Sequence, residues 1–166
     1  MKTAVVYYSY TGNTHRVAQL IIGVLKSKGE EAIPVRIRPL KEETNFLKQC
    51  KDSFFRKKPE LYKTLLELRD YDRIILGSPV WAFNVAPALN TYLDKCTSLE
   101  GKEAICFVTY GSGAGKEKAL GILKKGLEAK GVKVIGKISF RQNEKLEVSK
   151  DKLSKILEGG RYEKFV

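Results

Sequence analysis

TAVVYYSYTGNTHRVAQLIIGVLKS, residues 3–27, holds the densest structural signal in the chain. Thr3 to Tyr8 is an apolar, β-prone run. From His15 to Ser27, Val17, Leu20, Ile21, Val24 and Leu25 recur at the three-and-four spacing of an amphipathic helix. Between the two lie Ser9, Tyr10, Thr11, Gly12, Asn13 and Thr14. A strand that breaks into such a turn and then opens a helix presents unpaired backbone N–H groups to an anion. Ser9, Thr11 and Thr14 add hydroxyl donors, Asn13 offers its backbone N–H, and Gly12 lets the backbone turn and approach a ligand without a Cβ penalty.

The loop holds no lysine, which separates it from nucleotide-binding loops ending in Gly-Lys-Ser/Thr, and it lacks the three glycines of a dinucleotide fingerprint. A cradle for a terminal phosphate monoester matches it better. Ser, Thr and Asn are also ordinary helix caps, so the loop alone is equally a turn and cap.

Working outward, further β-rich segments lie at Ala32 to Ile37, Arg73 to Leu76, Ala104 to Thr109 and Val132 to Ile138. Helix-like segments separate most of them, with Leu120, Leu123 and Leu127 repeating the amphipathic spacing. Gly29 and Gly131 each stop a helix before a new strand. Apolar strands alternating with such helices predict a parallel sheet covered on both faces. Pro39 to Asp70 breaks the rhythm; it is rich in Phe and Leu, and Pro59 is expected to divide it into two helical pieces. Val148 to Leu157 reads as a last helix and Gly159 to Val166 as a surface strap.

The 166 residues suit one domain with one well-buried core. No apolar run approaches the roughly 20 residues of a membrane span, and the opening residues lack a small-residue cleavage pattern, so a cytoplasmic location without membrane insertion is expected. Cys50, Cys96 and Cys106 are widely spaced and His15 is the only histidine, which argues against disulfide frameworks, metal centres and His-based triads. The net charge of +12 calls for an acidic partner, nucleic acid or a membrane surface. Seven lysines against two glutamates in Lys116 to Lys137 make that stretch the most one-sided. Without an RNP-like or helix-turn-helix pattern, a basic nucleic-acid-binding module is the weakest of the readings.

In an open parallel sheet, ligands bind beyond the carboxyl ends of the strands, where strand order reverses. That rule selects the loops after strands one, three and four. The second loop, Gly77-Ser78-Pro79-Val80-Trp81-Ala82-Phe83-Asn84, and the third, Thr109-Tyr110-Gly111-Ser112-Gly113, bring aromatic residues to the edge that carries Ser9 to Thr14. Trp81, Phe83 and Tyr110 suit the walls of a planar ligand.

On these three loops the chain resembles the flavodoxin family. Ser9, Thr11, Gly12 and Thr14 match its Ser/Thr-x-Thr-Gly-x-Thr phosphate motif, and Pro79-Val80-Trp81 resembles its flavin-flanking loop. The resemblance implies a three-layer α/β fold with a five-stranded parallel sheet of order 2-1-3-4-5 and helices on both faces. It implies FMN as cofactor, held by Ser9 to Thr14, Ser78 to Asn84 and Thr109 to Gly113, with Asn84 also capping a helix that begins near Val85. The function implied is electron transfer between redox partner proteins; the alternative is an FMN-dependent NAD(P)H:quinone or flavin oxidoreductase. Two departures bear on function. Where many members place a small flexible residue after the tryptophan, this chain has Ala82 and Phe83, and where electron carriers are typically acidic, this chain is basic, so its partners should present acidic docking surfaces. Monomer and homodimer both remain open.

Overall fold

The computed structural model describes residues 1–42 and 44–158; the strap expected at Gly159 to Val166 lies outside the described residues. The elements are β1 (Lys2–Tyr8), α1 (Asn13–Ser27), β2 (Glu31–Ile37), α2 (Phe46–Phe54), β3 (Arg73–Trp81), β4 (Asn84–Val85), α3 (Pro87–Lys95), β5 (Glu103–Tyr110), α4 (Lys116–Glu128), β6 (Lys133–Arg141) and α5 (Leu146–Leu157). The sheet order is β2-β1-β3-β5-β6, all parallel, with β4 paired antiparallel to the end of β3. Leaving aside this two-residue strand, that is the expected 2-1-3-4-5 order.

The period-two alternation of the strands divides the core between two faces. Ala4, Val6, Ile74, Leu76, Cys106 and Val108 point to one face, where α3 and α4 cover them with Leu89, Tyr92, Leu120 and Leu123. Val5, Tyr7, Ile75, Ile105 and Phe107 point to the other, covered by Ile21 and Leu25 of α1 and by Leu153 and Ile156 of α5. Gly29 and Gly131 follow the helix ends at φ 78° and 75°, left-handed conformations that glycine adopts without strain.

Two stretches differ from the sequence-based expectation. β3 runs five residues beyond Leu76, because Gly77 makes room for Phe107, whose ring would lie 2.0 Å from a β-carbon there. The chain then turns back at once, pairing Trp81 with Asn84 through Ala82 and Phe83 at φ 46° and 61°. Positive φ at both central residues is the backbone of a type I′ hairpin, whose usual Asn-Gly signature is missing here.

The second difference is in residues 39–70, whose described residues contain one helix instead of two. Asn45 Oδ1 caps α2 by accepting from Leu47 N at 3.0 Å and Lys48 N at 3.3 Å. Past the helix Arg56 is left-handed, and beyond Pro59 the chain runs extended along its neighbours: Tyr62 N donates to Arg38 O and Thr97 N to Leu66 O. The leucines expected on a second helix, Leu61, Leu65 and Leu66, pack from this extended chain against the core.

Candidate functional site

The ends of β1, β3 and β5 are neighbours in the sheet, so the loops that follow them meet at one edge. They enclose a cleft of about 630 Å³. Tyr10, Thr11, Asn13 and Thr14 line it from the first loop, Pro79, Val80 and Trp81 from the second, and Thr109, Gly111 and Ser112 from the third.

One end is built of uncharged donors. Gly12 enters α1 at φ 92°, no side chain caps the helix, and its first turn carries no acidic residue, so the positive end of the helix dipole faces the loop uncompensated. Thr14 Oγ1 and Thr109 Oγ1 share a buried hydrogen bond of 2.8 Å that ties the first loop to the third. Asn13 Nδ2 donates to Thr11 Oγ1 at 3.1 Å, and Arg36 steadies the loop by donating to Ser9 O at 3.0 Å. Ser9, 3% exposed, begins the first loop, and its Oγ has no hydrogen-bond partner among the described residues. A buried hydroxyl left unpaired costs about 1–3 kcal/mol, which an incoming acceptor would recover.

The other end is aromatic. Trp81 is buried and meets Tyr8, Tyr10 and Phe46 edge-on at centroid distances of 5.5, 6.0 and 6.1 Å. Their hydroxyls are engaged away from the indole: Tyr8 donates to Glu42 Oε1 at 2.8 Å and Tyr10 to Thr44 O at 3.1 Å. Burial, assisted by Glu42, pushes the Tyr8 phenol well above the usual tyrosine range. Trp81 also borders a second cavity of about 250 Å³ beneath α2, with Gln49, Pro59 and Pro87 among its walls. A larger groove of about 740 Å³ between α3 and α4 draws on none of the three loops.

Several expected site residues stand elsewhere. Ser78 is fully buried, its Oγ donating to Pro79 O and accepting from Ala86 N, which braces the second loop. Ala82 and Phe83 form the hairpin turn, and Phe83 is exposed, with its Cα packed so closely on Gly115 that a β-carbon there would lie 2.6 Å away. Asn84 caps no helix: its Oδ1 accepts from Val85 N, and α3 begins at Pro87 after Ala86. Tyr110 lies 5.3 Å beneath the Lys116 ammonium, next to Gly113, and neither Tyr110 nor Gly113 lines the cleft. His15 is half-buried and bonds the Tyr7 hydroxyl through Nδ1 at 2.6 Å.

Phe46 and Gln142 complete the lining. Asn45 before an apolar residue was a usable cap signal for the helix that places Phe46. Gln142 follows β6, whose end lies beside β5, with Gln142 N donating to Tyr110 O at 2.8 Å. Among the described residues, no carboxylate, imidazole, ammonium or thiol lines the cleft. Cys106 is sealed in the sheet, where burial pushes its thiol up to about 12. No group of His, Cys, Asp and Glu among the described residues could hold a metal ion.

A family described as NADPH-dependent FMN reductase matches residues 1–145. Among solved structures, a flavoprotein from Lactobacillus acidophilus NCFM, described in complex with FMN, is similar at 24% identity over 92% of this chain and 98% of that one, with a TM-score of 0.72. Oxidised flavodoxin 1 from Bacillus cereus aligns at 20% identity over 99% and 100%, with a TM-score of 0.66. A flavodoxin from the domain Archaea aligns at 19% identity over 95% and 97%, with a TM-score of 0.64. At these identities the likeness establishes the shared fold.

Proposed function

This chain belongs to the NADPH-dependent FMN reductase family, and on that premise we propose that it binds FMN in the cleft and serves as a flavodoxin-like electron-transfer protein. The observation that carries the reading is the meeting, in one cleft at the carboxyl edge of a parallel sheet, of an uncharged anion cradle with an aromatic end. The residues present fit the cofactor. The hydroxyls of Thr11 and Thr14, the unpaired Ser9 Oγ and the first N–H groups of α1 would hold the phosphate. Trp81, Tyr10 and Phe46 exclude water from the opposite end.

When bound, FMN supplies the redox chemistry, accepting and passing on electrons. The chain supplies binding, orientation and electrostatics. Among the described residues the cleft wall carries no carboxylate, imidazole or ammonium, so its side chains act there through hydroxyl and amide groups, with the Tyr10 phenol donating to Thr44 O. The net charge of +12 favours acidic docking surfaces on the partners.

The third loop supports direct oxidation of NADPH as a second reading. With Tyr110 beside Lys116, the third loop presents the small side chains of Thr109, Gly111 and Ser112 to the cleft, with Gln142 next to them, and such a wall would leave room for a nicotinamide or quinone to stack. Anaerobic stopped-flow mixing of the FMN-loaded protein with NADPH separates the two. The carrier reading predicts that the flavin absorbance stays until a partner enzyme is added; rapid full bleaching without a partner assigns the reductase role.

A further inference from the structure

α2 is inside out. Its polar residues Gln49 and Ser53 are buried, while Phe46, Leu47 and Phe54 on the helix and Phe55 just beyond it are 51%, 79%, 62% and 62% exposed. The inward side explains itself: Ser53 Oγ contacts the carbonyls of Trp81 at 3.1 Å and Val85 at 2.7 Å, clamping the helix to the strand end that bears the tryptophan. Among the described residues the outward apolar side chains have no such account. Large apolar side chains exposed together mark an interaction surface.

The charge along this segment is mainly positive. Lys48, Lys51, Arg56, Lys57 and Lys58 are exposed on or just past the helix, and between Thr44 and Lys58 the only acid in the sequence is Asp52; Asp52 pairs with Lys57 at 2.7 Å and Asp94 of α3 with Lys58 at 2.6 Å. Phe46 belongs to both surfaces, since it lines the cleft and touches Trp81 while half of it faces outward. Whatever covers α2 therefore closes on the mouth of the site.

We propose that the exposed face of α2 is the docking surface for an acidic redox protein, an apolar patch ringed by carboxylates that seats on Phe46, Leu47, Phe54 and Phe55 and exchanges electrons at the Trp81 end of the cleft. This rests on the FMN carrier reading. A second copy of the chain is disfavoured, because an isologous contact sets the basic ring against itself. A lipid surface would match the charge and the apolar residues, but it gives no reason for the patch to share Phe46 with the cleft.

The probe is a reduced, acidic [2Fe–2S] ferredoxin mixed anaerobically with the FMN-loaded chain, where each encounter moves one electron from the cluster to the oxidised flavin. Two variants are compared with the parent: Lys51→Glu with Arg56→Glu, and Phe54→Ser with Phe55→Ser. Expected is a fall of about tenfold or more in the second-order rate at low salt for each, with the salt dependence weakened in the charge variant. FMN content and reduction by dithionite stay at parent level in both. Failure to take up FMN would refute the carrier reading itself. Full FMN with ferredoxin rates indifferent to both variants overturns the docking surface. So does binding to phosphatidylserine vesicles that both variants abolish while the ferredoxin rate is unchanged.

Discussion

Gly77 and Ala82 stand five residues apart in one strand and turn, and they make opposite demands on the side chain. At Gly77 the Phe107 ring occupies the place of a β-carbon, so Gly77→Ala forces repacking in the middle of the sheet. A loss of about 1–3 kcal/mol is expected from chemical denaturation, with FMN affinity falling because Ser78 to Trp81 follow directly. At Ala82, φ 46° strains a residue that has a β-carbon, at a cost of roughly 1–2 kcal/mol, while glycine loses about 0.5–1 kcal/mol in chain entropy. Ala82→Gly should therefore raise stability by about 0.5–1 kcal/mol, visible as a higher denaturation midpoint. Neither position can be understood from the sequence alone. Gly77 looks like an ordinary loop glycine until β3 is seen to continue past it, and an Ala-Phe pair carries none of the turn chemistry that usually announces a type I′ hairpin.

Among the elements, those built by local periodicity were legible and those held by distant partners were not. α1, α4 and α5 follow from leucine, isoleucine and valine spacing, and the parallel strands from their apolar runs. α2 and the chain after it depend on contacts remote in sequence: Ser53 to Trp81 and Val85, Leu66 to Thr97, Arg38 to Tyr62. No window of neighbouring residues encodes these. Ser53→Ala removes the hydroxyl that touches two buried carbonyls, and a loss of about 1–3 kcal/mol is expected. Hydrogen exchange should show the change concentrated in Phe46 to Phe55, with the sheet protected as before; uniform loss of protection would contradict the clamp.

For the whole molecule, the sheet order was legible because alternating strands and helices admit few topologies, and that order put the three loops at one edge. What sequence could not place was which side chains turn inward there: Trp81 and Thr14 do, while Tyr110, Phe83 and Asn84 are taken by other contacts. The buried phenols set a global pH response. Burial is the largest cause raising both Tyr8 and Tyr92 above the ordinary tyrosine value of 10.0, so the folded state holds these protons more tightly than the unfolded chain does. Their contribution is complete below that value and lost as pH climbs past it, so the urea midpoint should be lower at about pH 11 than at about pH 8. The anion cradle carries the central claim, and paired titrations of the cofactor-free protein with FMN and with riboflavin, which lacks the phosphate, test it most directly. Hydrogen bonds to a charged group contribute about 1.5–3 kcal/mol each, so FMN should bind at least about 100-fold tighter with one site per chain, and Ser9→Ala with Thr14→Val should shrink that ratio by about tenfold or more. Equal affinity for FMN and riboflavin, or a ratio untouched by the double variant, would contradict the assignment of Ser9 to Thr14 as the phosphate end of the site.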